Sequence, residues 1–365
     1  MCDFLKVVVD GIIYRMQSFG GISRLYNEIL PRMCDMDESL YITLLTLNHL
    51  KQSLPTHSQI HYWPVSLPGE LPDPCWLWNP IVPVEAKGCI WHSTYYTIPE
   101  KWRGPLLLTV VDMIHELFAN LFNHSTDAHF RDRKKRCILT SDAVICISET
   151  TRNDVQHFFQ IEPTKIHVIP LACSEVFRQL ENENCAPRLL SIKPFLLYVG
   201  ARNHYKNFDR LLQAYSRWPR RKEVSLVVVG RDWSQDEKNR LMDLRIKDRV
   251  LLFRKVDDES LCNLYNQAIA FVYPSLYEGF GIPLLEAMAC GCPIVASRIP
   301  STIEVAGECP IYFEPTEVDD LINALDVVIH EGQNSTRLQA GFERVKRYSW
   351  DKTAQQLLNI YHLFL

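Results

Sequence analysis

No apolar run in this 365-residue sequence approaches the ~20 residues that a membrane-spanning helix needs. Twelve cysteines are scattered along it, yet there is no CxxC pair and no His/Cys spacing that would build a zinc site. Cys290 and Cys292 flank Gly291 at an expected helix end, which suits small buried side chains better than ligands. Free thiols in a chain of this size point to a reducing compartment. A net charge of −4 offers no electrostatic case for a nucleic-acid partner. The start, MCDFLKVVVD, carries an early aspartate and a brief apolar run, so it reads as a first strand and not as a secretory signal. Internal repeats and low-complexity tracts are also missing. A soluble, cytoplasmic protein of two domains is expected, with room for peripheral contact with the inner membrane surface.

What is present is an alternation of short apolar runs with helical patterns, which argues for a parallel α/β sheet in each half. Val7–Asp10 reads as a strand leading through Gly20 and Gly21 into a helix, where Ile22, Leu25, Ile29 and Leu30 recur at helical spacing. That loop lacks the full GxGxxG fingerprint, so a plain strand-to-helix turn explains it equally well. Leu106–Val111 is a second buried strand, ending in Asp112-Met113-Ile114-His115-Glu116. The charge run RDRKKR at 131–136 reads as a solvated helix face. Ser148 suits a helix cap. Trp76 and Trp78 lie in a Pro/Trp-rich stretch, 63–80, that reads as an irregular loop over packed side chains. Ile166–Pro170 closes the first domain, and the polar stretch 175–194 reads as a linker. FLLYVG at 195–200 then opens the second. The expected division is 1–175 and 192–349, with the striped helix 350–365 beyond.

The segment 268–297, AIAFVYPSLYEGFGIPLLEAMACGCPIVAS, is the most informative. Ala268–Tyr273 reads as a buried strand, Gly279 and Gly281 as a turn that lets backbone approach a ligand, and Pro283 as the start of a short helix. Gly291 and Pro293 stop that helix before a further strand at Ile294–Ala296. Glu278 and Glu286 sit eight residues apart around the turn, with Glu286 expected in the helix's first turn. A helix N-terminus at the carboxyl edge of such a sheet favours an anion, and a carboxylate just inside it can accept from a ribose diol. Gly200-Ala201-Arg202-Asn203-His204-Tyr205-Lys206-Asn207 follows another strand, so Arg202 and Lys206 hang at the same sheet edge.

The stretch EGFGIPLLEAMACGCPIVAS resembles the E-x7-E signature of retaining glycosyltransferases of family 4. The resemblance implies an α/β protein of the GT-B fold, with two Rossmann-like parallel-sheet domains facing a cleft and a C-terminal helix crossing back to the first domain. It implies a sugar moved from a nucleoside-diphosphate donor to an acceptor hydroxyl on a glycan or lipid-linked glycan, in polysaccharide or glycolipid assembly. A GDP-mannose-like donor is preferred and UDP-glucose comes next. Arg202 and Lys206 would meet the diphosphate charge that grows as the bond breaks. Glu278 would sit beside the transferred sugar, with the amides of Gly279, Phe280, Gly281 and Ile282 near its hydroxyls and phosphate. Glu286 would hold the ribose, and Gly20-Gly21 would face the diphosphate from the other domain. Arg231 is a weaker phosphate or base contact.

TVVDMIHELF falls where family members carry a His-Asp pair, and Val111 stands in the histidine's place. Asp112 and His115 are candidates to orient or deprotonate the acceptor, while a helix cap explains Asp112 as readily. Asp35-Met36-Asp37 fits a metal-binding DxD pattern but sits at a helix tail and reads as a solvated terminus. No metal and no cofactor are expected. A sugar-nucleotide epimerase or hydrolase of the same fold, or a subunit that binds the nucleotide sugar without turnover, are the competing readings.

Overall fold

Short β-branched and leucine-rich runs form most of the strands, and the inner ones are buried, whereas the edge strand Ile60–Val65 exposes Tyr62 and Trp63. The computed structural model describes residues 4–17, 20–47, 49–65, 89–99, 102–122, 125–181, 194–332 and 336–365. The chain divides into two units, Met1–Leu171 with Ser349–Leu365, and Ala172–Tyr348.

The first unit contains β1 (Leu5–Val9), α1 (Ile13–Met16), α2 (Gly21–Met36), β2 (Leu40–Leu47), β3 (Ile60–Val65), β4 (Ile90–Ser93), β5 (Leu106–Val110), α3 (Ile114–Leu117), α4 (Ser125–Thr140), β6 (Ala143–Cys146), α5 (Glu149–Phe159) and β7 (Ile166–Val168). Its sheet runs β3-β2-β1-β4-β5-β6-β7, parallel throughout. The second unit contains β8 (Phe195–Val199), α6 (Phe208–Arg217), β9 (Ser225–Val229), α7 (Gln235–Asp243), β10 (Val250–Phe253), α8 (Asp258–Gln267), β11 (Ala270–Tyr273), α9 (Ile282–Ala289), β12 (Ile294–Ser297), α10 (Pro300–Ala306), β13 (Ile311–Phe313), α11 (Val318–Glu331) and α12 (Thr336–Val345). Its order is β10-β9-β8-β11-β12-β13, again parallel. Both sheets therefore reverse direction once, between β1 and β4 and between β8 and β11. These are the switch points at which open α/β sheets bind ligands beyond the carboxyl ends of their strands.

Helix α13 (Trp350–His362) completes the first unit. Trp350, Leu357, Leu358 and Tyr361 are buried, and the helix lies along α2. Asp351 pairs with Arg32 at 3.0 Å, and Thr353 Oγ1 donates to Pro170 O at 2.7 Å. The Tyr361 hydroxyl meets His92 Nδ1 at 2.6 Å, while His92 Nε2 lies 2.9 Å from Thr109 Oγ1. Burial pushes the His92 pKa down to about 3.

Several expectations need correction. The strand after α8 begins at Ala270, because Ala268 still closes the helix through a bond from its N–H to Leu264 O. Strand β5 stops at Val110, and β7 at Val168. Residues 177–180 are not a free linker but dock on α8, with Leu180 N donating to Asn266 Oδ1 at 2.8 Å. The run 131–136 is not simply a solvated face, since Lys134 is fully buried on an ion pair with Glu116 at 2.8 Å. Asp35-Met36-Asp37 does end α2, where Asp37 accepts from Ser39 N at 2.8 Å and pairs with His362 at 3.0 Å. Trp76, Trp78 and most of the stretch 175–194 lie outside the described residues. Among the described residues, no helix is long and apolar enough to cross a membrane.

Candidate functional site

In the second unit, the loops after β8 and β11 flank the switch point, and they are joined there. Leu276 N donates to Tyr205 O at 2.8 Å. Asn207, held at φ +56°, starts α6 and donates from Nδ2 to Pro274 O at 3.0 Å and Pro315 O at 2.8 Å. This frame brings together two residues 72 positions apart. Lys206 Nζ donates to both oxygens of Glu278, at 2.7 and 2.8 Å. Ser275 Oγ donates to Glu278 Oε1 at 2.5 Å, and the buried Tyr273 hydroxyl also bonds that carboxylate. Burial, and then the Glu278 charge, hold the Tyr273 phenol well above its ordinary pKa. The Glu278 side chain is 9% exposed and that of Lys206 21%. The cation is therefore reachable from solvent while the carboxylate is enclosed.

Glu286 lies in the second turn of α9, as the fifth residue of Ile282–Ala289, and not in the first turn. The difference arises because Gly281, at φ +120°, caps the helix and Ile282 begins it, which puts Pro283 second. Glu286 is buried and accepts from Tyr265 Oη at 3.0 Å. A side chain at 281 would be strained, and its Cβ would meet Leu284 Cδ1 at 3.0 Å. Gly279 is buried in the same turn. The Phe280 side chain turns inward against Tyr348, with ring centroids 5.7 Å apart, so only its main chain is left for a ligand.

Arg202 does not bond the Lys206–Glu278 pair. Its Nε donates to Glu237 Oε1 at 2.6 Å and its Nη2 to Arg231 O at 3.0 Å and Asp232 O at 2.9 Å. The guanidinium stacks on Trp233 at 4.4 Å. Only Nη1 is buried without a hydrogen-bond partner among the described residues. Gly230 makes this crossing feasible, since a Cβ there would fall 2.8 Å from both Nη1 and Gly200 O. Arg231 lends its carbonyl to the network.

In the first unit, Gly20 and Gly21 open α2 and are exposed, with Ser23 Oγ donating to Gly20 O at 3.1 Å. Asp112 follows β5, and its Oδ1 accepts from Ile114 N at 3.1 Å, a turn-stabilising bond. His115 packs on Phe122 and Phe130, at 4.5 Å from each ring centroid, and its Nδ1 is buried without a partner among the described residues. Ser148 caps α5 by accepting from Thr151 N at 2.9 Å. Sequence reasoning passed over Ser275, Tyr273, Tyr265, Glu116 and Lys134. Ser275 lies three residues before Glu278 and could have been noticed; the others have no local signal.

Residues 186–343 of the chain match Glycosyl transferases group 1, and residues 90–173 match Glycosyltransferase Family 4. Its fold is GT-B. Sucrose-phosphate synthase from Thermosynechococcus elongatus superposes with a TM-score of 0.79 at 19% identity, covering 98% of each chain. WaaG, a glycosyltransferase involved in lipopolysaccharide biosynthesis, gives 0.76 at 16% identity, covering 97% of this chain and 99% of that one. In sequence, the chain is 29% identical over 293 residues to O-antigen chain mannosyltransferase B of Escherichia coli, covering 76% of this chain and 75% of that protein. It is also 29% identical to the MMP alpha-(1->4)-mannosyltransferase of Mycolicibacterium hassiacum, covering 64% of this chain and 56% of that protein.

Proposed function

We propose that the protein is a retaining, metal-independent glycosyltransferase that moves mannose from a GDP-mannose-like donor to a hydroxyl of a growing glycan or lipid-linked glycan in polysaccharide or O-antigen assembly. UDP-glucose is the next donor to test. The observation that carries this reading is the Lys206–Glu278 pair at the switch point of the second sheet, eight residues before a second enclosed carboxylate. The relatives named mannosyltransferases support the choice of sugar. A fixed cation at a sheet's carboxyl edge stabilises a departing diphosphate more than the intact donor, which lowers the barrier. In this reading Lys206 supplies that charge, and the remaining N–H of Arg202 adds to it. Glu278 lies beside the transferred sugar with the amides of 279–282, and Glu286 accepts from the ribose. Asp112 and His115 orient or deprotonate the acceptor, which attacks on the face that the diphosphate leaves. Gly20 and Gly21 let the main chain of α2's first turn approach the phosphates. Work on a lipid-linked acceptor would place the protein on the inner face of the membrane as a peripheral partner.

The test is calorimetric binding of GDP, UDP and ADP, with and without EDTA, to the wild type and to Glu286→Ala. GDP binding that is indifferent to EDTA and weakened by the substitution is expected, followed by mannose transfer from GDP-mannose. Nucleotide binding without transfer or donor hydrolysis would instead mark a binding subunit. No binding of any nucleotide would refute the sugar-nucleotide reading itself.

A further inference from the structure

Lys134 is a fully buried cation in α4 with two partners on the turn that follows β5. Its Nζ donates to Asp112 O at 2.7 Å and to Glu116 Oε2 at 2.8 Å, and it sits 5.4 Å from the Tyr96 ring centroid. The ammonium thus ties both ends of the turn 112–116 to one helix. The pair is almost wholly removed from water, with side-chain exposures of 1% and 7%. Burying such a pair seldom stabilises a fold more than apolar side chains of the same size would. Two acceptors beside it are left over, since Glu116 Oε1 and His115 Nδ1 are buried without partners among the described residues. An ion pair next to unsatisfied acceptors at the carboxyl edge of a parallel sheet is an arrangement that core packing does not require.

We infer that Lys134 is a positioning residue for the acceptor side, fixing the turn 112–116 through Asp112 O and Glu116 so that His115 presents its imidazole to an incoming hydroxyl. This rests on the reading of Asp112 and His115 as acceptor-side groups. The charged groups that face His115 are Asp112 and Glu116 on its own turn, and Lys134 and Asp127 from α4. Burial lowers the His115 pKa, and the Lys134 ammonium lowers it further, against the opposing pull of the carboxylates. Lys134 therefore both places the imidazole and, with burial, disfavours its protonation, which leaves it in the form that can accept a proton from a hydroxyl.

The experiment compares the full-length wild type with Lys134→Met and with the double variant Lys134→Met/Glu116→Gln, which leaves no lone buried charge and so protects the fold. NMR titration of the His115 ring, assigned by its loss in His115→Gln, is read beside the pH profile of kcat/KM for sugar transfer. Lys134→Met is expected to raise the His115 titration and move the acidic limb of the profile upward, with kcat down about tenfold or more and the donor KM unchanged. The double variant should fold and show a smaller upward shift than Lys134→Met, because loss of the Glu116 carboxylate acts in the opposite direction to loss of the ammonium. An imidazole that titrates identically in all three proteins would overturn the inference. A wild type that transfers no sugar would count against the acceptor-side reading instead, and the imidazole titration would still report whether Lys134 controls that ring.

Discussion

Acid should loosen the first unit through one histidine. His92 has its ordinary pKa of 6.5 in the unfolded chain, and burial holds it at about 3 in the folded one. Between those values the unfolded chain carries a proton that the folded chain refuses, so stability falls as the pH falls. The slope is about 1.4 kcal/mol per pH unit below the unfolded pKa, and the loss levels off only as the folded imidazole itself titrates. Going from about pH 7.5 to about pH 5 should cost about 2 kcal/mol from this residue alone. His115 and His167, also lowered by burial, add losses of the same sign. Asp10 acts in the opposite direction. Its carboxyl is raised by burial, so the folded chain takes up its proton first and gains stability on acidification. Comparison with His92→Gln isolates the single contribution, because glutamine can still bond Tyr361 but does not titrate. Hydrogen exchange of peptides covering β4 and α13, corrected for the intrinsic rate at each pH, reads the local opening free energy without assuming that both units unfold together. Equal pH dependence in wild type and variant would refute the reasoning, as would a His92 ring signal that titrates near its unfolded value.

Three further outcomes are expected. Lys206→Met should cut kcat by about 10² to 10³ if it meets the leaving diphosphate, and should cost about 1–3 kcal/mol of second-unit stability by stranding Glu278, less than a fully buried pair because Lys206 is partly exposed; a cycle with Glu278→Gln that shows additive stabilities would contradict the pairing. Arg202→Lys keeps the charge but loses the fork to Glu237 and the stacking on Trp233, so urea unfolding should show a loss of about 1–3 kcal/mol. A fall in GDP affinity above about tenfold with unchanged stability would make Arg202 chiefly a phosphate ligand. Tyr265→Phe removes a donor from the buried Glu286 and should destabilise the second unit by about 1–3 kcal/mol, with GDP binding weakened alongside; a variant as stable as wild type would show that Glu286 has enough other partners.

The layered α/β fold was legible because buried parallel strands are written as short apolar runs, and the helices between them carry their caps and stripes openly. FLLYV, SLVVV and AFVY each became a strand of the second sheet. Boundaries moved by one or two residues where helix closure competed with strand pairing, as at Ala268. Contacts across the sheet order were not legible. Nothing local announces that Lys206 and Glu278 share two hydrogen bonds, since that depends on β8 and β11 being neighbours. Arg202 looked like a partner of Lys206, but α7 supplies Glu237, whose place three residues after Ser234 marks it only as half of a capping box. Lys134 hid within a run of like charge because its counter-charge lies 18 positions earlier on another element. His92 drew no notice at all, since its partners Thr109 and Tyr361 come from a neighbouring strand and the far end of the sequence.

That last contact bears on how the protein is made. The first unit is discontinuous, with Ser349–Leu365 arriving after the whole of the second unit has been synthesised. While the ribosome translates residues 172–348, the groove along α2 is without α13, and His92 is without the Tyr361 hydroxyl. The later-made unit can therefore finish folding before the earlier one, against the usual N-to-C order of domains. In that interval the nascent chain exposes the apolar side chains that Leu357, Leu358 and Tyr361 will cover, and chaperones would find their target there.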